Sequence, residues 1–235
     1  MQEQIFDALR RGANEEALAA ARAAADADPA DARPQLWLAM ALRACGQDPA
    51  AVAAIDRAIA LAPQDADLHF HRAGLLLGQR DIGGAQSALS TAVELDPNQF
   101  GAYILQAQLA LGRGDLDEAE RLGRLAARLA PEHPWCRAVE GMVALRRGDA
   151  DRALALLSQA AEQAPEDTQV LHALGFAYLA KGHLAFAEQA FRRLLDKTRD
   201  ADALRTLLAQ VVVGQGRAGD ALDLLQPLVD APGQA

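Results

Sequence analysis

The sequence predicts an all-α protein built from seven consecutive two-helix repeats, and three observations carry that prediction. First, 51% of the 235 residues are hydrophobic but only 4% are aromatic, and alanine supplies about a quarter of the chain. Ala, Leu, Arg, Gln and Glu lose little side-chain freedom in a helix, whereas the residues that strands prefer are scarce here. Second, Pro29, Pro63, Pro97, Pro131 and Pro165 recur every 34 residues. Third, two other residue types keep the same period. Ala17, Ala51, Ala85, Ala119, Ala153, Ala187 and Ala221 form one register. Gly12, Gly46, Gly114, Gly148, Gly182 and Gly216 form another, with Arg80 the single exception. A fixed period of this length marks a repeat array.

Each repeat reads as helix, turn, helix. The glycine ends the first helix, where a left-handed residue satisfies the last carbonyls without a Cβ penalty. Arg80 at that place costs roughly 1 kcal/mol if its backbone is left-handed. Asp115 and Asp149 follow their glycines and are expected to cap the second helix; Asp48-Pro49 is expected to play that part in the second repeat. A second alanine register, Ala24, Ala58, Ala92, Ala126 and Ala160, lies seven residues after the first. The two alanines share one face of the second helix and let the first helix approach closely. The proline then stops the second helix and turns the chain into the next repeat. In the sixth repeat Arg199 takes the proline's place.

This pattern resembles the tetratricopeptide repeat family, whose signature is W-x2-L-G-x2-Y, then A-x3-F, then P. The best match is Leu171, Leu174-Gly175 and Tyr178, followed by Ala187 and Phe191. The resemblance covers the whole chain as one solenoid over 1–235, with a slightly truncated repeat 1–31 and full repeats 32–65, 66–99, 100–133, 134–167, 168–201 and 202–235. It implies an α-solenoid coiled as a right-handed superhelix, with the first helix of each repeat (helix A) lining a concave groove and the second (helix B) outside. Gly123 replaces the bulky helix-B residue of that signature, which leaves a hole or brings two helices together.

In the family, positions 2, 5, 6, 9, 12 and 13 of each repeat face the groove. The resemblance therefore implies Arg33, Leu36, Trp37, Met40 and Arg43 in the second repeat, and Phe70, His71 and Leu77 in the third. It adds Ile104, Leu105, Gln108 and Leu111 in the fourth, Trp135, Val139, Met142 and Arg146 in the fifth, and His172, Phe176 and Leu179 in the sixth. The core of the expected site is Trp37, Met40, Phe70, His71, Ile104, Leu105, Gln108, Trp135, Val139, Met142, His172 and Phe176. Such an apolar, aromatic-bearing face suits an amphipathic helix or extended peptide with large apolar anchors. The same side chains also suit packing of helix A against its neighbours. Some family members hold a C-terminal carboxylate with Lys and Asn at positions 5 and 9. Here those positions read Leu36/Met40, Phe70/Gly74, Ile104/Gln108, Ala138/Met142 and His172/Phe176, so that mode is not expected. Arg72, Gln106 and Glu140 occupy the normally apolar position 7 of three successive repeats; they either reach solvent or form a buried polar ladder, with Arg137 one turn from Glu140.

Other features exclude function classes. A formal charge of −9 argues against nucleic acid as the main partner. No apolar run reaches the roughly 18 residues of a membrane span, and Met1 to Asp7 lacks the basic and apolar regions of a secretory signal. Gly214-Gln215-Gly216-Arg217-Ala218-Gly219 spells a dinucleotide-binding turn, but Gly216 is the expected helix stop of the seventh repeat. His69 and His71 point apart on a helix, and no histidine has a partner at metal-ligand spacing. Cys45 and Cys136 lie nearly three repeats apart, too far for a disulfide. The expectation is a cytoplasmic, bacterial, non-enzymatic scaffold with no catalytic residue, metal or cofactor, binding a protein or peptide and neither nucleic acid nor membrane. The alternative is a repeat domain that positions substrate for a catalytic domain beyond residue 235. The apolar last helix, with Leu222, Leu224, Leu225, Leu228 and Val229, predicts a homodimer through the C-terminal edge or cover by further chain, and residues 231–235 read as a linker.

Overall fold

The structure, a computed structural model, describes residues 1–197 and 201–230. Arg199 and the expected linker at 231–235 lie outside the described residues. Among the described residues there are fourteen α-helices and no strand, so the fold class is the predicted one, an α-solenoid. The helices are α1 (Gln2–Arg10), α2 (Asn14–Ala27), α3 (Ala32–Ala44), α4 (Asp48–Leu61), α5 (Ala66–Gly78), α6 (Ile82–Leu95) and α7 (Phe100–Arg113). They continue with α8 (Leu116–Leu129), α9 (Pro134–Arg146), α10 (Ala150–Gln163), α11 (Thr168–Ala180), α12 (Leu184–Leu195), α13 (Ala201–Gly214) and α14 (Ala218–Asp230). Two helices fall to each 34-residue repeat. Odd-numbered helices are helix A and even-numbered ones helix B.

Every turn between helices A and B uses the left-handed backbone that the sequence called for. Gly12, Gly46, Gly114, Gly148, Gly182 and Gly216 have φ of 72–84°, and Arg80 adopts the same turn at φ 62°. Asp81, Asp115 and Asp149 accept from backbone N–H groups three residues on and cap α6, α8 and α10. The Asp48 expectation fails: α4 begins at Asp48 itself, and Gln47 occupies the cap with no side-chain hydrogen bond. Asp48 stands one residue later in its repeat than Asp81, Asp115 and Asp149 do in theirs. Asp31, Asp65 and Asp167 cap helices A at α3, α5 and α11. Helix B ends two residues before the repeat proline in each of the first five repeats.

Contacts divide the chain into two compact units, Met1–Leu109 and Ala110–Ala235, with the boundary inside α7. In the N-terminal unit α1 to α6 pack in succession, and α1 also touches α3. Its core joins the register alanines Ala17, Ala51, Ala58, Ala85 and Ala92 to Ile5, Leu18, Ile55, Leu68 and Leu89, all with 3% or less of their surface exposed. In the C-terminal unit α8 to α14 pack in the same succession, and α9 also touches α11. There Leu157, Val170, Leu171, Phe191, Leu208 and Val212 are fully buried. Phe191 reaches α11 at Gly175, where any Cβ would lie 2.6 Å from its Cζ. Gly123 has both expected consequences. Val139 Cγ1 approaches to 2.9 Å of where a Cβ would stand, and a cavity of about 320 Å³ opens beside it.

Polar side chains staple successive repeats. Arg147 binds Asp117 (2.6 Å) and Glu120 (2.8 Å), and Lys181 binds Asp151 (2.6 Å). Asn14 Nδ2 donates to the Ala44 carbonyl oxygen in the N-terminal unit. Glu188, 9% exposed, accepts from Arg192, Gln215 and Arg217, each at 2.9 Å, tying α12 to the turn before α14. Burial pushes the Glu188 carboxyl up, but hydrogen bonds from Arg192 and Gln215 and the charges of Arg192 and Arg217 more than reverse that, leaving it below the ordinary carboxylate value. Two of the three position-7 residues pair outside the core: Arg72 with Asp56 at 2.7 Å and Glu140 with Arg152; Gln106 is half-buried. Arg137 turns to Glu132 and Gln163 rather than to Glu140.

Candidate functional site

The helix-A face of the C-terminal unit carries an open groove of about 680 Å³. Its walls are Leu111 of α7, Met142, Leu145 and Arg146 of α9, and His172, Ala173, Phe176, Leu179 and Ala180 of α11. The α11 residues fall at i, i+1, i+4, i+7 and i+8, one stripe of a helix. Most of the wall is hydrocarbon; His172 and Arg146 are its two polar side chains. Phe176 is 36% exposed. Its ring stands edge-on to His172 (centroids 4.8 Å apart) and to the buried Phe191 (5.5 Å). Phe191 thus fixes the back of the Phe176 ring while its front stays open, a rigid and preorganised apolar surface. Burial holds the His172 imidazole below its ordinary pKa, so at neutral pH it is uncharged.

The N-terminal unit has a second, more polar groove of about 960 Å³ lined by Gln2, Glu3, Phe6, Asp7, Leu9 and Arg10 of α1 and Met40 of α3. Phe6 and Leu9 were missed in the sequence because the first repeat is truncated, although they sit at positions 9 and 12 when the repeat is aligned backwards.

The structure distributes the expected residues unevenly. Met142, His172 and Phe176 come together in one groove, and Met40 lies in the other. Trp37 is half-buried against the core shared by the first three repeats, and Trp135 against Ala138, Ala160 and Val170. Phe70 is half-buried edge-on to His71 (5.4 Å) and fills the space a Cβ on Gly101 would need. Burial lowers the His71 pKa; the Arg43 charge adds to this, while Asp67 and Asp65 oppose it. Leu105 and Gln108 are half-buried. Ile104 is 5% exposed and Val139 fully buried, so these two pack helices together and offer nothing to a ligand. Val139 sinks because Gly123 gives way to it.

Gly214 to Gly219 connects one helix to another, α13 to α14. Both cysteines are free thiols. Among the described residues no three His, Cys, Asp or Glu side chains converge on a common point, and no helix is long and apolar enough to cross a membrane.

Paired helices repeated every 34 residues, joined by a left-handed turn that is glycine in every repeat but the third and stacked through alanine, define an α-helical repeat protein. The chain belongs to the tetratricopeptide repeat family: models of that repeat match residues 7–66, 71–134 and 144–211. Proteins of this family are in general non-enzymatic scaffolds for protein–protein interaction. Among solved structures, the chain is similar to one in the APC/C hetero-tetramer Cut9–Hcn1, with a TM-score of 0.84 and 17% identity over 94% of this chain. It spans only 44% of that chain. A tetratricopeptide repeat protein from Parabacteroides merdae matches with a TM-score of 0.70 and 16% identity, covering 99% of this chain and 92% of its own. TTC0263 from Thermus thermophilus matches at 0.64 and 24% identity, covering 77% and 99%. At such identities the likeness concerns the fold. No curated protein matches the chain in sequence.

Proposed function

We propose that the chain is a binding scaffold that holds a peptide or helix of a partner protein in the groove between α7, α9 and α11. The observation that carries this reading is the open Phe176 ring, backed by Phe191 and set in a wall of Met142, Leu145 and Leu179. Exposed apolar concavities of this size are uncommon on proteins that bind nothing. Catalysis has no support in the groove, where an uncharged imidazole and one guanidinium stand without a nucleophile or carboxylate beside them. Selection of dodecapeptides from a random phage-displayed library, followed by fluorescence anisotropy on the recovered peptides, tests the reading. Phe176→Ala removes an anchor of roughly 1–3 kcal/mol and weakens binding at least tenfold while far-UV circular dichroism holds; recovered peptides indifferent to Phe176 would overturn it. Trp37, Phe70 and Trp135 make poorer probes, because replacing them also removes core packing. The exposed Leu222 (68%) and Val229 (76%) of α14 support self-association through that edge. Light scattering at micromolar concentration then gives twice the mass of the chain, and Leu222→Asp restores the monomer.

A further inference from the structure

We infer that the partner segment held in the C-terminal groove carries an aspartate or glutamate beside its apolar anchors, and that Arg146 is the residue that selects it. The inference rests on the groove reading above and adds the charge of the ligand to it.

The chain has nine more acidic than basic residues, yet the acids avoid this face. Between residues 110 and 214, positions 2, 5, 6, 9, 12 and 13 of the repeats hold no aspartate or glutamate. Arg146 is the one charged residue among them. The described acids of the same unit stand at other positions of the repeats, and many are neutralised there: Asp117 and Glu120 by Arg147, Asp151 by Lys181, Glu140 by Arg152, and Glu188 by Arg192 and Arg217. Arg146 differs from its neighbour Arg147, which grips two carboxylates of α8. Arg146 is exposed, lines the groove, and has no carboxylate within ion-pair distance among the described residues. One guanidinium nitrogen lies 3.9 Å from where a Cβ on Gly114 would stand, which places the charge at the end of the groove formed by the α7–α8 turn.

A guanidinium above a hydrocarbon wall is a site for a carboxylate, because the wall excludes competing water while the fork supplies two parallel donors. A ligand with only apolar side chains would cover Arg146 and leave it unpaired, at a desolvation cost. A basic ligand would be repelled. The neutral His172 does not compete for the carboxylate. Arg146 also sits in the last turn of α9, where a cation is favoured by the helix dipole. That local role does not depend on any ligand, so it predicts no acid preference.

The test is to run the random dodecapeptide selection in parallel on the wild-type chain, Arg146→Gln and Phe176→Ala. Among the described residues Arg146 makes no hydrogen bond or ion pair that glutamine would leave unmet, so the variant is expected to keep the fold, checked by far-UV circular dichroism. Wild-type selections are expected to enrich Asp or Glu at a constant spacing from apolar residues. Changing that acid to its amide weakens anisotropy binding by about fivefold, and the difference shrinks as salt is raised. Selections on Arg146→Gln keep the apolar residues and lose the acid. Wild-type binders without an acid preference, or a preference that survives in Arg146→Gln, overturn the inference and leave the groove standing. Binders that Phe176→Ala does not affect overturn the groove reading itself.

Discussion

Replacing Arg80 with glycine is expected to stabilise the protein. Arg80 holds the left-handed turn between α5 and α6 at φ 62°, while the other six repeats place glycine there. The turn itself is regular. Arg80 N–H donates to the Leu77 carbonyl oxygen (3.1 Å) and Asp81 N–H to that of Leu76 (2.9 Å), matching Gly114 to Leu111 (3.1 Å) and Asp115 to Ala110 (2.9 Å). A side chain in this conformation costs roughly 1–2 kcal/mol. Glycine removes that cost but adds roughly 0.5–1 kcal/mol of unfolded-state entropy. The Arg80 side chain is exposed and makes no hydrogen bond or ion pair among the described residues, so nothing else is lost. The balance is a gain of about 0.5–1 kcal/mol, or about 2 °C in melting temperature for a chain of this size. Urea denaturation followed by circular dichroism measures it, with Gly148→Ala as the reciprocal control, expected to lose about 1 kcal/mol. A lowered urea midpoint for Arg80→Gly, or no loss in Gly148→Ala, would refute the argument that backbone strain outweighs chain entropy at these turns.

Three further outcomes follow from the packing and charges. Gly175→Ala puts a methyl 2.6 Å from Cζ and 2.9 Å from Cδ1 of the buried Phe191 ring, and should cost about 1–3 kcal/mol in urea denaturation. Glu188→Gln should cost roughly 1–3 kcal/mol at neutral pH, since the amide keeps one acceptor oxygen but removes the charge and turns a donor toward Arg192 or Arg217. The Glu188 carboxyl titrates below its unfolded value, so its contribution is present above the unfolded pKa and disappears as pH falls through the folded one. The variant and wild type should therefore draw together as pH falls below the ordinary carboxylate range and converge once it is below the depressed folded value. His71 is held below its ordinary pKa, chiefly by burial, and is neutral in the folded state; its contribution is present above about pH 6.5 and is lost as pH falls toward the depressed folded value. The stability of His71→Gln should then decline less than that of wild type between pH 7 and 5, with Arg43, Asp65 and Asp67 unchanged in both.

Much of the fold was legible because its punctuation is local. A glycine or proline imposes its backbone constraint whatever surrounds it, and alanines seven apart on one helix mark a close approach without knowledge of the partner helix. Depth within the site was less legible. Position numbers place a side chain on the helix-A face, but how far it sinks depends on what faces it. Val139 lies at a groove position and disappears into the core because Gly123 opposes it, whereas Phe176 stays open because Phe191 props it from behind. The staples between repeats were missed, though a signal existed. Asp117 and Arg147, and likewise Asp151 and Lys181, are each 30 residues apart, the distance from the start of one helix B to the end of the next helix A. An acid followed 30 residues later by a base is readable once the 34-residue period is known. The Glu188 network was hidden for another reason: one of its donors is the neutral Gln215, which no search for opposite charges would find.

The most direct measurement is to carry a photo-reactive group on a selected dodecapeptide and map its cross-links to the chain by mass spectrometry. If the account is right, adducts fall on Met142, Arg146, His172, Phe176 and Ala180, and none on Glu140 or Arg152 of the outer side. Adducts concentrated on those outer residues, or spread evenly over both sides, would contradict it.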